Sequence, residues 1–316
     1  MPSVHCPFPS PFEEPPNPAL LETAHEVDRL LASIDQGLPT SPSLHKAPLA
    51  MSMAGFLPRA QPEPFTVYLL WITWFILYDD VWCDALAELD DHKTARSRLG
   101  AFNEQALGIV AGRPSNPFDD PLIQVLHELW QRTKRLRPAC GTSRLSLLMG
   151  AFFQASGAEL DARLRKQTLP LSTYLPLRGH ASGQCVSLEY ERICHGFTFP
   201  PALFVQPHMI TLHQTAAHYA VLLNDIYSAD ADRRRADPTR LAAALQAEAA
   251  VPETDMPTAA ASISIQLANL WLTQRHDLET HIQHDGLHAY LNRIELYLGG
   301  TCAWHESMSS RYRAFP

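Results

Sequence analysis

The sequence predicts an all-α protein, a single bundle of about ten helices, and three observations carry that expectation. A fourteen-residue apolar and aromatic run, Phe65–Tyr78, holds no Gly or Pro and is too long for an ordinary strand, so it reads as a buried helix. Much of the remaining chain repeats apolar residues at three- and four-residue spacing. No stretch alternates apolar and polar residues over a useful length, and there is no internal repeat and no Gly-rich phosphate loop.

Residues 1–18 hold seven prolines, at positions 2, 7, 9, 11, 15, 16 and 18, which excludes a helix and predicts an extended arm or a disordered leader. The first helix starts behind Asn17, an N-cap residue type, and runs through LLETAHEVDRLLASI. Pro39, Pro42 and Pro48 mark a loop, and a second Pro-bearing break over 58–64 precedes the apolar run. After Asp84, the stretch ALAELDDHKTARSRLGAFNEQALGIVAG reads as one amphipathic helix that Gly112-Arg113-Pro114 ends. GRPSNPFDDP is a loop, PLIQVLHELWQRTKRL a further helix, and Ser143 to Arg165 another with Phe152 and Phe153 midway. Leu169–Pro176 is expected to be a broken connector, after which Arg178 opens a helical segment. Ala202–Asp232 reads as one long helix. An Ala-rich segment, Arg240–Ala250, and a Pro-bearing loop, Val251–Pro257, separate it from two late helices, Thr258–His284 and Leu287–Ser310. The expected organisation is a Pro-rich arm over 1–18 and one helical domain over 19–316.

A chain of 316 residues can bury a substantial core, and 46% hydrophobic with 18% charged residues is a globular balance that excludes disorder for most of the length. A net charge of −8 argues against nucleic acid as a partner, because phosphate backbones need clustered Lys and Arg. The one basic cluster, Arg233–Arg235, adjoins acidic residues and reads as a solvated helix face. Six cysteines (6, 83, 140, 185, 194 and 302) lack CxxC pairs, which favours reduced thiols in the cytoplasm over a disulfide framework. The N-terminus has neither a basic start nor an apolar core, so it does not read as a signal peptide. The apolar run falls short of the roughly 20 residues that span a bilayer.

The chemistry-bearing residues fall into four groups. The apolar run ends in Asp79 and Asp80, with Asp84 four residues on. Helix residues advance by about 100°, so Asp80 and Asp84 share a face with Asp79 at its flank. Three carboxylates at the end of an apolar helix are costly unless a cation meets them. A carboxylate cluster at the rim of an apolar cavity suits a divalent metal and an anion with a hydrophobic tail. Trp71, Ile72 and Phe75 lie on the face leading to Asp79. On the long helix, Asn224, Ser228 and Asp232 are spaced i, i+4, i+8 and form one stripe of hard oxygens suited to Mg²⁺, or, read alone, a solvated face. Arg178, and the near-terminal pair Arg311-Tyr312, offer guanidinium forks and a phenol matched to phosphate oxygens, though each singly is the kind of residue found on any surface.

Together the four groups resemble the class I terpene synthases, the small single-domain kind found in bacteria. Asp79-Asp80-Val81-Trp82-Cys83-Asp84 is similar to that family's aspartate-rich motif, with one residue more than the commonest DDxxD. Asn224, Ser228 and Asp232 are similar to its second metal motif, with Asp232 for the commoner Glu and Ala231 where many members carry Lys. Arg311-Tyr312 resembles its C-terminal Arg-Tyr pair, and Arg178, 46 residues before Asn224, its pyrophosphate-sensing arginine. The family relays ionisation through the two residues three and four after that arginine, here Ala181 and Ser182. The resemblance runs from about residue 20 to 313.

It implies a helical bundle around a central apolar cavity, and a Mg²⁺-dependent lyase that ionises a linear prenyl diphosphate and cyclises the carbocation, releasing pyrophosphate. Farnesyl diphosphate is the expected substrate and geranylgeranyl diphosphate the second. The implied metal ligands are Asp79, Asp80, Asp84, Asn224, Ser228 and Asp232, holding three ions. The implied catalytic set is Asp79, Arg178, Arg311 and Tyr312, the last three donating to the diphosphate. Trp71, Phe75, Phe152, Phe153, Ser182 and Trp304 are the expected neighbours of the hydrocarbon, aromatic faces steadying a cation by about 0.5–2 kcal/mol each. The resemblance also implies a homodimer, and an arm and a 230–257 segment that order over the pocket on binding. Two alternatives stay open: a chain-elongating prenyltransferase of the same fold, which uses a second aspartate-rich motif, and a non-catalytic isoprenoid-diphosphate-binding protein.

Overall fold

Burial of the Phe65–Tyr78 run organises the architecture. In the computed structural model, which describes residues 6–23, 25, 49–113, 120–136, 142–235, 239–252 and 255–308, it belongs to α2 (Pro62–Tyr78), following α1 (Leu49–Phe56). The helix starts three residues before the apolar run because Pro62 and Pro64 occupy its first turn, where an amide N–H has no intrahelical partner to lose. Next come α3 (His92–Val110), α4 (Pro121–Leu136), α5 (Thr142–Leu164), α6 (Leu171–Ala181) and α7 (Gln184–Cys194). The last are α8 (Pro207–Arg235), α9 (Leu241–Ala249), α10 (Met256–His281) and α11 (Leu287–Ala303). No strand occurs among the described residues, so the all-α expectation holds.

Two buried rods carry the bundle. α2 packs on α4 and α7, and two indole N–H groups pin it to α4: Trp71 donates to Thr133 Oγ1 and Trp74 to the Leu122 carbonyl, both at 2.9 Å. α8 is the second rod; Ala216, Ala217, Ala220 and Leu223 are fully covered, and its small residues let α6 and α10 approach closely. No described helix is long and apolar enough to cross a membrane, and the five described cysteines are all free thiols.

Several boundaries differ from the sequence expectation, each for a local reason. The helix expected after Asp84 is interrupted: a short turn, Ala85–Ala87, stops, and α3 restarts at His92. Asp91 forces the restart, since its Oδ1 accepts from the Lys93 and Thr94 amides at 3.1 Å and caps a new N-terminus. Leu169–Pro176 is not a broken connector. It is mostly α6, which tolerates Pro176 inside it because Tyr174 and Leu175 are buried. The break falls later, at Ser182-Gly183, where Gly183 adopts φ +74°, so Arg178 closes a helix rather than opening one. Pro207 splits the long helix from a 3₁₀ turn, Pro201–Val205. α11 yields to a π-helical turn, Trp304–Met308, before Ser310. Gly112 ends α3 as expected: at φ +71° it lets the Arg113 amide reach back to the Gly108 carbonyl at 2.9 Å. The loop through Pro39, Pro42 and Pro48 lies outside the described residues.

Residues 6–14 of the arm are part of the packed molecule. Phe8 is buried edge-on between Tyr219 (5.2 Å) and Trp271 (5.6 Å), and Pro11–Glu13 form a 3₁₀ turn capped by Ser10. The arm crosses α11 so closely that a Cβ at Gly299 would sit 1.9 Å from the Pro9 carbonyl oxygen. Asn17 caps the helical residues 18–23 by accepting from the Ala19 amide at 3.0 Å, as its residue type suggested.

Candidate active site

α2 does not simply stop at Tyr78. The next six residues, Asp79–Asp84, form a π-helical turn. In α-geometry, five steps of about 100° would leave Asp79 and Asp84 about 140° apart around the axis. A π turn, closed by hydrogen bonds five residues apart, brings them onto nearly the same side. The result is a cluster: Asp79, Asp80 and Asp84 each offer an oxygen within 4.8 Å of the others, and all three are half-buried. The one residue more than DDxxD is thus absorbed by a wider turn, and Asp79 joins the other two instead of flanking them. Three carboxylates at that range repel one another, and a divalent cation is the partner whose charge and oxygen preference fit them.

Asp84 is held from the side by α5. Arg163 Nη1 donates to Asp84 Oδ1 at 2.7 Å, and Arg163 Nη2 to Glu159 Oε1 at 3.2 Å. Glu159 also receives Arg178 Nη1, at 3.0 and 3.3 Å to its two oxygens. Arg178 then reaches Asp225 on α8, with Nη2 2.8 Å from Oδ1 and Nε 3.5 Å from Oδ2, and the Tyr174 hydroxyl donates to Oδ2 at 2.5 Å. The two carboxylates together outweigh the cost of burying the guanidinium and push the Arg178 pKa well up, so it stays charged. Burial and the Asp225 charge push the Tyr174 phenol up as well, which keeps it a donor. A continuous chain of contacts, Asp84–Arg163–Glu159–Arg178–Asp225, therefore joins the first carboxylate cluster to the helix that bears the second motif.

On α8, Ser228 is 6% exposed and donates to the Asp225 carbonyl at 3.5 Å, while Asn224 is half-buried. Asp232 lies within α8, and its side chain is outside the described residues, as are Arg311 and Tyr312. Residues 305 and 306 lie against α8: Tyr227 stacks on His305 (ring centroids 5.4 Å apart) and donates to Glu306 Oε1 at 3.1 Å. Trp304 is half-buried against His305, its indole N–H covered and without a partner among the described residues.

The expected aromatic neighbours divide. Trp71 is 0% exposed, with its N–H satisfied by Thr133, so it is wall structure. Phe75 keeps 9%, packs on Phe152 (4.8 Å) and lies against the α6–α7 break, 3.3 Å from where a Cβ on Gly183 would stand. Phe152 and Phe153 both pack on Trp74 and Tyr78; Phe152 also meets Phe75, and Phe153 also borders a groove with Gly100, Asn103 and Gln154. Ser182 sits at the break, its hydroxyl covered and without a partner among the described residues. Sequence reasoning missed Asp225, Glu159, Arg163 and Tyr174. The available signals were Asp225 inside an apolar helix beside Asn224, and the i,i+4 pair Glu159/Arg163 on α5.

Germacradien-4-ol synthase from Streptomyces citricolor superposes with a TM-score of 0.78 over 96% of this chain and 98% of its own, at 16% identity. An α-eudesmol synthase gives 0.77 over 94% and 98%, at 20% identity. The fold is that of the class I terpene synthases. Residues 70–271 match the family described as terpene synthase family 2, C-terminal metal binding, and the chain belongs to that family. A 7-epi-α-eudesmol synthase of Streptomyces viridochromogenes is 23% identical over 84% of this chain and 79% of its own length. A pristinol synthase of Streptomyces pristinaespiralis is 22% identical over 56% of this chain, which spans only 47% of that relative.

Proposed function

We propose that this protein is a Mg²⁺-dependent terpene synthase that ionises a linear prenyl diphosphate, farnesyl diphosphate first, and cyclises the resulting allylic cation. The observation that carries this reading is the three-aspartate cluster joined by ion pairs to Arg178 and Asp225. The relative from S. viridochromogenes, described as farnesyl diphosphate cyclizing, supports the fifteen-carbon choice.

Asp79, Asp80 and Asp84 would form one ligand set and Asn224, Ser228 and Asp232 the other, by resemblance for three ions, and Mg²⁺ held there would offset the diphosphate charge and stabilise the charge that builds on the departing oxygen. Arg178 donates to the same oxygens, together with Arg311 and Tyr312. The C–O bond breaks with both electrons going to the diphosphate, and preorganised donors in a water-poor site stabilise that leaving group most. Phe75 and Phe152 flank the allylic cation, and Trp304 and Ser182 complete the wall. In the same reading the enzyme is cytoplasmic and homodimeric, with residues 19–316 as its single domain.

The test is incubation of the full chain with Mg²⁺ and, separately, geranyl, farnesyl and geranylgeranyl diphosphate, followed by gas chromatography of a hexane extract. A cyclic hydrocarbon or alcohol from one allylic diphosphate alone is expected. A requirement for isopentenyl diphosphate would mean chain elongation instead. Asp79→Ala and Asn224→Ala should each abolish turnover, and retention of activity in either removes the metal assignment.

A further inference from the structure

Arg163 stands outside every motif the proposed function uses, yet it touches three parts of the site. Its Nη1 donates to Asp84, its Nη2 to Glu159, and its Nε to Thr239 Oγ1 at 3.4 Å, on the segment that follows α8. Glu159 is 7% exposed and is shared between two guanidiniums, Arg163 and Arg178. A diphosphate arriving at Arg178 competes with Glu159 for the same N–H groups. If Arg178 were the sole cation beside it, Glu159 would be stranded as a buried, unpaired charge, and the structure would resist that exchange. With Arg163 on Oε1, a guanidinium remains when Arg178 turns away. The same guanidinium holds Asp84 within the carboxylate cluster at its other nitrogen. Ala181, three residues after Arg178, offers no side-chain polar atom, and the route of contacts from the arginine to the aspartate cluster runs through α5.

We propose that Arg163 is a positioning residue that lets Arg178 pass from Glu159 to the substrate diphosphate while keeping Asp84 in register with that exchange, an inference that rests on the function proposed above. A single ammonium cannot do the same, because the three contacts lie in three directions and only a guanidinium presents donors to all of them.

The test uses the full chain with two readouts: binding of inorganic pyrophosphate in the presence of Mg²⁺ by titration calorimetry, and steady-state turnover of farnesyl diphosphate. Arg163→Met should weaken pyrophosphate binding by about tenfold or more and raise KM more than it lowers kcat. Glu159→Gln in the Arg163→Met background should recover most of that loss, since the amide left behind by Arg178 carries no charge. If Arg163 were merely structural, the two losses would add. Circular dichroism checks folding; if Arg163→Met does not fold, the same comparison is made with Arg163→Lys, whose loss should be smaller and equally rescued. Unchanged pyrophosphate affinity in the single variant, or an unrescued double variant, overturns the proposal. If the wild-type protein neither binds pyrophosphate with Mg²⁺ nor consumes any of the three prenyl diphosphates, the functional reading fails, and this inference with it.

Discussion

Replacing Asp225 by Asn tests how the fold holds Arg178. Asp225 is 2% exposed and accepts from the Tyr174 hydroxyl and from two nitrogens of Arg178. Asn keeps the volume and one acceptor for Tyr174, but removes the charge and turns one oxygen into a donor facing a guanidinium. Removing one partner of a buried pair costs about 3–5 kcal/mol. Arg178 is 16% exposed and retains Glu159, so the expected cost falls to about 2–3 kcal/mol. In a chain of this size each kcal/mol lowers Tm by about 2 °C, which gives a drop of about 4–6 °C. Turnover should fall with it, because Arg178 loses the tether that aims it. Tyr174→Phe removes one hydrogen bond to a charged oxygen but leaves both Arg178 contacts and strands no charge, which puts it at the low end of such bonds, about 1.5 kcal/mol. It should therefore melt between wild type and Asp225→Asn and keep most of its turnover. The assays are scanning fluorimetry with urea unfolding, and the prenyl diphosphate turnover described above. A melting point for Asp225→Asn within about 1 °C of wild type, or a greater loss in Tyr174→Phe, refutes the assignment of Asp225 as the anchor.

Three further outcomes are expected of the same structure. Gly299→Ala places a methyl where the Pro9 carbonyl stands, so residues 6–14 should lift from α11 and become open to limited proteolysis, and a digestion pattern identical to wild type contradicts the packed arm. Gly183→Ala forces a non-glycine residue to φ +74°, at about 1–2 kcal/mol, and pushes on Phe75. A lower Tm with an altered product pattern by gas chromatography is expected, and an unchanged pattern separates Phe75 from the pocket. Stability should rise with pH between about 4.5 and 6.5. Burial pulls His195 and His218 down to about 4 and His213 to about 3, so their contributions are present above pH 6.5 and are lost as pH falls toward those values. Burial of Glu191 raises it to about 7, and its opposite contribution, present below pH 4.5, is lost as pH rises through 7. Three histidines outweigh one carboxylate, and a higher urea midpoint at pH 5 than at pH 6.5 would reverse that balance.

Most of the fold was legible because helix formation is local. The periodicity of α4, α5 and α10 sits within one turn of each residue, and their bounds fell within a few residues of expectation. The errors came where one side chain overrode the pattern. Asp91 capped a new helix inside an apparently continuous one, and burial of Tyr174 and Leu175 carried α6 through Pro176. The π turn is a third case. Nothing in the residue types of Asp79–Asp84 announces a five-residue hydrogen-bond step, although the extra residue in the motif is its natural cause.

By itself the sequence determined the helical class, the long buried rods and the residue types of the motifs proposed to hold metal and diphosphate, since these depend on composition and spacing along one helix. Only the tertiary structure decided which carboxylate holds which guanidinium. Glu159 and Arg178 are 19 residues apart, Arg178 and Asp225 47, and Asp84 and Arg163 79. Charge pairing and hydrogen bonding act strongly over a few ångströms, and separations of that length along the chain close only when α5, α6 and α8 pack together.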